Sequence, residues 1–459
     1  MAARVESAAG GVTSSDIISR IERIPYSSWH VKMRVIVGLA LFFESIDNVS
    51  MGSVLPVLVG EWKIRPDQVG MLISFGYLGS AMGALTCGWL AEKYGRMKTL
   101  IFTVALFAVM SFVCSQAWSF GSLAIFRVIQ GFGLGGEVPV AGAFINEWSK
   151  TQGRGRFYLM YNLLMTIGVW AGAVLGLIIV PTLGWRWMFI VGGFPAVLCF
   201  VLRWWVPESP RWLANEGRLE EADRIVRDLE NAVSKNGAVP LPPVVPLAIP
   251  VEPRKTRFAE LFQGIYLKRT LVLWVMSFCA SFSILAIQAW LPTLYRTIYK
   301  LPLKTSLTYG MLSMAATAAS NLILALLADH VGRRAWFIWM FIGGAVSYGI
   351  VGLLAPASAP IFLVFQLFAA LFVASLGGCM ILWRSEVYPT RMRALGGSTS
   401  QIFSGVSAIV APLVIGYIVA GYGMFPVFLV ISVVCLFAAV FLGIFVEETR
   451  NRRLEEIAP

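Results

Sequence analysis

Twelve apolar runs, each near the roughly 20 residues that a helix needs to cross a lipid core of about 30 Å, follow one another along this chain with short polar turns between them. Backbone inside lipid must satisfy its own hydrogen bonds, so runs of this length read as spanning helices. They fall at roughly 34–57, 69–91, 97–117, 120–146, 157–180, 187–206, 270–292, 305–328, 335–355, 359–384, 394–420 and 424–446. The predicted fold class is therefore an all-α membrane protein with twelve transmembrane helices in two six-helix, pseudo-symmetric bundles. The expected organisation is an N-terminal segment 1–33, a bundle 34–206, a linker 207–269, a bundle 270–446 and a tail 447–459. Within the linker, Leu219 to Val233 is charged and helix-like, and Val239 to Pro253 is Pro-rich and reads as an extended spacer.

The chain is 14% charged, where a soluble chain has about a quarter. Its net charge of +12 invites a nucleic-acid partner, but the distribution speaks against one. Basic residues crowd into every second loop: Lys93, Arg96 and Lys98, then Lys150, Arg154 and Arg156, then Arg211 to Arg269, Arg333 and Arg334, Arg391 and Arg393, and the tail Arg450, Arg452 and Arg453. This asymmetry puts both termini in the cytoplasm. The first 33 residues lack a signal-peptide core, so the first run is a retained helix. The six cysteines lie in or beside apolar runs without a pairing motif and read as packing residues, not as metal ligands or disulfides. No Gly-Lys-Ser/Thr phosphate loop is present, so ATP is not the expected energy source, and no cofactor is expected.

A charged hairpin occurs twice: Gly88 to Arg96 in the first half and Ala325 to Arg334 in the second. Glu147 precedes Arg154 by the same spacing as Glu386 precedes Arg393. A doubled, charge-bearing turn in an apolar chain implies two homologous bundles, an arrangement typical of secondary transporters.

These hairpins resemble the loop signature of the major facilitator superfamily, with Glu92 where Asp is usual. Arg127 to Glu137 resembles its fourth-helix motif, Pro207 to Leu213 the sugar-porter signature after helix six, and Glu386 to Thr390 and Val446 to Arg450 the signatures after helices ten and twelve. The stretch Arg20 to Pro25, His30, Phe43 to Asp47 and Pro56 is similar to bacterial metabolite:proton symporters of the niacin and aromatic-acid type, with Glu44 where those carry Asp. Helix seven reads Ile287-Gln288-Ala289-Trp290-Leu291-Pro292-Thr293, short of the Gln-rich pattern of sugar porters. Gly168, Gly172 and Gly176 in helix five lack the Gly-Pro pair of drug antiporters.

Three ionisable groups lie deep in the first bundle: Glu44, Asp47 and Arg127. A charge buried in lipid costs at least about 2.5–3.5 kcal/mol, so each needs a partner or a role. A rise of about 1.5 Å per residue brings Asp47 and Arg127 to one depth, with Glu44 one turn from Asp47 on the same face. The functional reading is a proton-titrated carboxylate competing with a substrate anion for one arginine; the bland reading is a structural ion pair. Gln130 shares the Arg127 stripe, as does Glu137, a relay or a clamp. The second half offers Gln288, Trp290 and Gln401 as the better substrate-binding candidates among its polar and aromatic residues. Glu92, Arg96, Glu147 and Arg154, with Asp329, Arg333, Glu386 and Arg393, form by resemblance a cytoplasmic latch between the bundles. His30 and His330 read as surface residues.

Together these readings predict a proton-coupled transporter of a small organic anion in a bacterial inner membrane, a monomer whose partners are solute, proton and lipid. A sugar or polyol symporter is the rival. A receptor on the same fold is a second, disfavoured by the short segment after helix twelve. No nucleophile–base pair suggests an enzyme.

Overall fold

The computed structural model describes residues 12–150, 154–234, 240–244, 258–354, 358–388 and 390–448. Among these residues the regular structure is helical, and twelve helices are long and apolar enough to cross a membrane. The first bundle contains Ser28–Glu61, Pro66–Tyr94, Arg96–Ser115, Phe120–Trp148, Arg154–Leu183 and a sixth span in two pieces, Trp185–Gly192 and Pro195–Trp205. The second contains Gly264–Gln288 followed by the short Leu291–Thr297, then Leu303–Val331, Arg333–Leu354, the interrupted Ala359–Val373 and Ser375–Val387, Thr390–Tyr422 and Phe425–Phe445.

The first span begins at Ser28, earlier than its apolar content suggests, because the polar start is capped. The Ser27 hydroxyl lies 3.1 Å from His30 Nδ1. His30 is buried against Tyr26, Trp29 and Phe157, which corrects its reading as a surface residue. His330, Arg154, Asp329 and Arg393 have side chains outside the described set, as do the tail arginines Arg450, Arg452 and Arg453.

Small residues set how closely the spans pack. A Cβ added to Gly79, Gly83, Gly131 or Gly135 would fall 2.0, 1.9, 2.2 or 2.0 Å from a carbonyl oxygen of the facing helix. The glycines of the fourth span therefore serve helix packing, and they seat Arg127 against Gly76 of the second. The two halves approach closely on the face opposite the termini. There the Ser74 hydroxyl donates to the Ile409 carbonyl at 2.7 Å, and a Cβ on Gly70 would lie 2.3 Å from the Pro412 carbonyl.

The polar segments on the terminal face fold together. Ser14–Arg23 is an amphipathic helix closed by a Thr13–Asp16 capping box. Ile17 and Ile21 pack with Trp212, Leu213, Ala222 and Val226 of Pro210–Asn215 and Leu219–Ser234. Arg20 pairs with Asp223 at 2.5 Å and Glu230 at 2.6 Å, Arg23 with Glu230 at 2.6 Å, and Arg211 with Glu22 at 2.7 Å. Of the Pro-rich stretch only 240–244 is described, without regular structure.

Candidate functional site

Asp47 is the centre of a closed polar network within the first bundle. It is fully buried and accepts three bonds: from Arg127 Nη1 at 3.0 Å, Gln130 Nε2 at 2.9 Å and the Ser111 hydroxyl at 3.1 Å. The spacing of three between Arg127 and Gln130 places both on one face of the fourth span, and Nη1 also donates to Gln130 Oε1 at 2.7 Å. Gly192 closes the far side, since a Cβ there would lie 3.1 Å from Asp47 Oδ1. Both bonds of the guanidinium pass through Nη1. Its Nε is buried without a partner, and the Nε–Nη2 edge faces Gly76, whose missing Cβ would sit 3.2 Å from Nη2. An arginine held by one nitrogen keeps a two-donor edge free, the geometry that matches a carboxylate.

Glu44 lies one turn toward the terminal face. One oxygen accepts from Asn48 Nδ2 at 3.2 Å; the other is buried and unpartnered. Further along the fourth span, Glu137 is fully buried and neither carboxyl oxygen has a hydrogen-bond partner.

The second-half candidates do not form a comparable network. Gln288 lines a small cavity with Ser283, Ser313, Thr317, Tyr348 and Gln366, and its Nε2 donates to the Met314 sulfur at 3.2 Å. Trp290 is buried at the break before Leu291–Thr297 with its indole N–H unpartnered, and Gln401 is exposed.

On the terminal face Arg96 pairs with Glu147 at 3.0 Å and Arg333 with Glu386 at 2.9 Å. Each pair joins two elements of one bundle, so in this conformation these bonds clamp the loops of each half and do not cross between halves. Glu92 is exposed, and its backbone carbonyl accepts from Trp212 Nε1 at 2.8 Å.

Two carboxylates with roles unforeseen from sequence complete the clamps. Glu208 accepts from the backbone N–H of Arg96 at 3.1 Å and of Met97 at 3.1 Å, capping the third span. Glu448 accepts from Arg333 at 3.0 Å and Arg334 at 3.1 Å, capping the ninth. Gly95, with φ of 107°, and Gly332, with φ of 87°, make the turns. A Cβ there would fall 2.4 Å and 2.8 Å from the capping carboxylates. The motifs after helices six and twelve held the signal: each places a Glu where the sixth or twelfth span returns to that face.

A family model for sugar (and other) transporters matches residues 52–459. The chain is 28% identical over 450 residues to a niacin transporter of Acinetobacter baylyi, covering 96% of this chain and 99% of that protein. It is 27% identical over 395 residues to a 4-hydroxybenzoate transporter of the same organism, covering 84% of each. Among solved structures, a D-xylose–proton symporter aligns over 93% of this chain and 100% of that one, with a TM-score of 0.74 at 18% identity.

Proposed function

The chain belongs to the family of sugar (and other) transporters within the major facilitator superfamily, and we propose that it carries a small organic anion of the niacin or aromatic-carboxylate type inward together with a proton. It is a multi-pass membrane protein and a secondary transporter; the substrate and the coupling are our reading. The observation that carries it is the buried, unpartnered Nε of an arginine whose Nη1 is held by Asp47.

A carboxylate docking on that edge places two anions on one cation inside a low-dielectric site. Protonation of Asp47 removes the excess charge, so proton and anion bind together. Gln130 holds both partners in register. Glu44, one turn away, tunes the charge on Asp47. Gln288, Trp290 and Gln401 supply the polar and aromatic contacts of the second half, which close on the solute as the halves rock. The terminal face is cytoplasmic, because the loops there carry the basic residues. The clamps keep the cytoplasmic loops of each half in shape, so that the two faces dock when the cavity opens outward. The niacin and 4-hydroxybenzoate transporters among the relatives support the anion, and their bacterial source supports a bacterial inner membrane.

Uptake of labelled nicotinate, 4-hydroxybenzoate and xylose into proteoliposomes tests the reading. Saturable uptake of either carboxylate, with xylose excluded, is the expected result. Xylose uptake with both carboxylates excluded overturns it in favour of a sugar symporter.

A further inference from the structure

Asp47 has partners for its charge; Glu137 has none. Glu137 sits ten residues beyond Arg127, about 15 Å further toward the terminal face at about 1.5 Å per residue. It is fully buried, and both of its oxygens lack a hydrogen-bond partner. The titratable groups around it are Glu44 of the first span, Tyr161 of the fifth, Cys199 of the sixth and Cys87 of the second, packed at Gly136. None of these carries a positive charge. An ionised carboxylate in such a place would cost several kcal/mol, so the side chain is held as the neutral acid.

Its neighbours carry unpartnered polar groups of their own. Glu44, with its own unpartnered oxygen, lies three residues before Asp47 on the first span and interacts with Glu137. Tyr161 is buried with its hydroxyl unpartnered, and it feels both Glu137 and Glu44. Its ring lies 5.7 Å from that of Tyr158, which is half-buried and packs its hydroxyl at Gly142 of the fourth span. Orphaned buried polar groups cost stability when they serve only packing. Glu44, Glu137 and Tyr161 are three such groups, at helix positions progressively nearer the terminal face than Asp47.

We propose that Glu137 is a second proton-carrying residue of the transport cycle, relaying protons between Glu44, beside Asp47, and the terminal face along Tyr161 and Tyr158. The inference rests on the reading of Asp47 as the coupling carboxylate. In the release step Glu137 gives its proton to water near Tyr158. It is reprotonated by Glu44, which takes the proton of Asp47 in turn. One proton leaves; Glu44 and Glu137 end neutral, as they began, and Asp47 ends as the anion paired with Arg127.

Glu137→Gln preserves size and neutrality, so a purely structural glutamate predicts wild-type transport from this variant. The relay predicts otherwise: with a pH gradient of one unit across proteoliposomes, nicotinate accumulation falls about tenfold, the whole of what one coupled proton supplies, while labelled nicotinate still exchanges. Glu137→Asp, which keeps the acid, recovers part of the accumulation. Accumulation at the wild-type level in Glu137→Gln overturns the relay. Asp47→Asn is measured beside it, and its full accumulation would remove the coupling reading instead. Infrared spectra of the purified protein at neutral pH decide the protonation without any substrate. The carbonyl band of protonated carboxyls is smaller in Glu137→Gln than in wild type; an undiminished band means an ionised Glu137 and overturns the proposal.

Discussion

Replacing Arg127 with lysine separates recognition by shape from recognition by charge. The guanidinium spends Nη1 on Asp47 and Gln130, at 3.0 and 2.7 Å, and leaves Nε and Nη2 as a fork. A carboxylate across that fork gains two parallel charge-assisted bonds, each worth about 1.5–3 kcal/mol. Lysine keeps the charge, but its ammonium must serve Asp47 and the solute from one nitrogen, so at least one bond to the solute is lost. The expected loss is about 1.5–3 kcal/mol, or about 10- to 150-fold in Kd at about 1.4 kcal/mol per decade. Titration calorimetry of nicotinate into the purified protein reads it directly. Gly76→Ala is the companion variant, because its Cβ would stand 3.2 Å from Nη2 and 3.6 Å from Nε without touching the Nη1 bonds. It should weaken binding in the same direction while the Asp47–Arg127 pair survives. Wild-type affinity in Arg127→Lys refutes the bidentate geometry. Wild-type affinity in both variants leaves Arg127 as a structural partner of Asp47 alone.

Glu147→Gln and Glu386→Gln each remove the acceptor of one clamp, and spin-label distances across the terminal face should shift toward the open arrangement. About 1–2 kcal/mol moves such a population severalfold, and unchanged distance distributions in both variants would reduce these residues to loop packing. The N-terminal helix should loosen in acid. Burial opposes the charge on Glu230, but Arg20 and Arg23 outweigh it and hold its carboxyl below the usual range; Asp223 is held low against burial in the same way by Arg20 and Arg227. Depressed carboxylates stabilise the docked helix above their unfolded values of about 4, and that stability is lost as pH falls through the lower folded values. Hydrogen exchange at Ile17 to Ile21 should therefore rise at acidic pH, and protection that stays constant would show that apolar packing alone holds the helix.

The apolar runs made the helices legible, because a lipid-spanning segment announces its length and its charges stand out. The depth estimate likewise brought Asp47 and Arg127 to one level, and the structure joins them at 3.0 Å. Gln130 was placed by its spacing from Arg127. What stayed hidden is tertiary or local and polar. Ser14–Arg23 has no spanning signal, and its apolar stripe of Ile17 and Ile21 has meaning only beside Trp212 and Val226. The capping roles of Glu208 and Glu448 need partners more than a hundred residues away, at separations of 112 and 115. The burial of His30 follows from a helix that starts before its apolar content does. In the second half, Gln288, Trp290 and Gln401 share no charge that would bind them into one network, so sequence had little with which to rank them.

In the proposed cycle a carboxylate and a proton cross together because Asp47 and the solute share Arg127. The direct test is proton movement during nicotinate entry. Proteoliposomes enclosing a pH-sensitive dye are given external nicotinate without an imposed gradient, against protein-free vesicles as the baseline for passive entry of the acid. Wild-type protein should acidify the interior in step with labelled nicotinate, and Asp47→Asn should exchange nicotinate without acidification. Nicotinate entry through the wild type with no proton movement, or equal acidification by Asp47→Asn, would contradict the account.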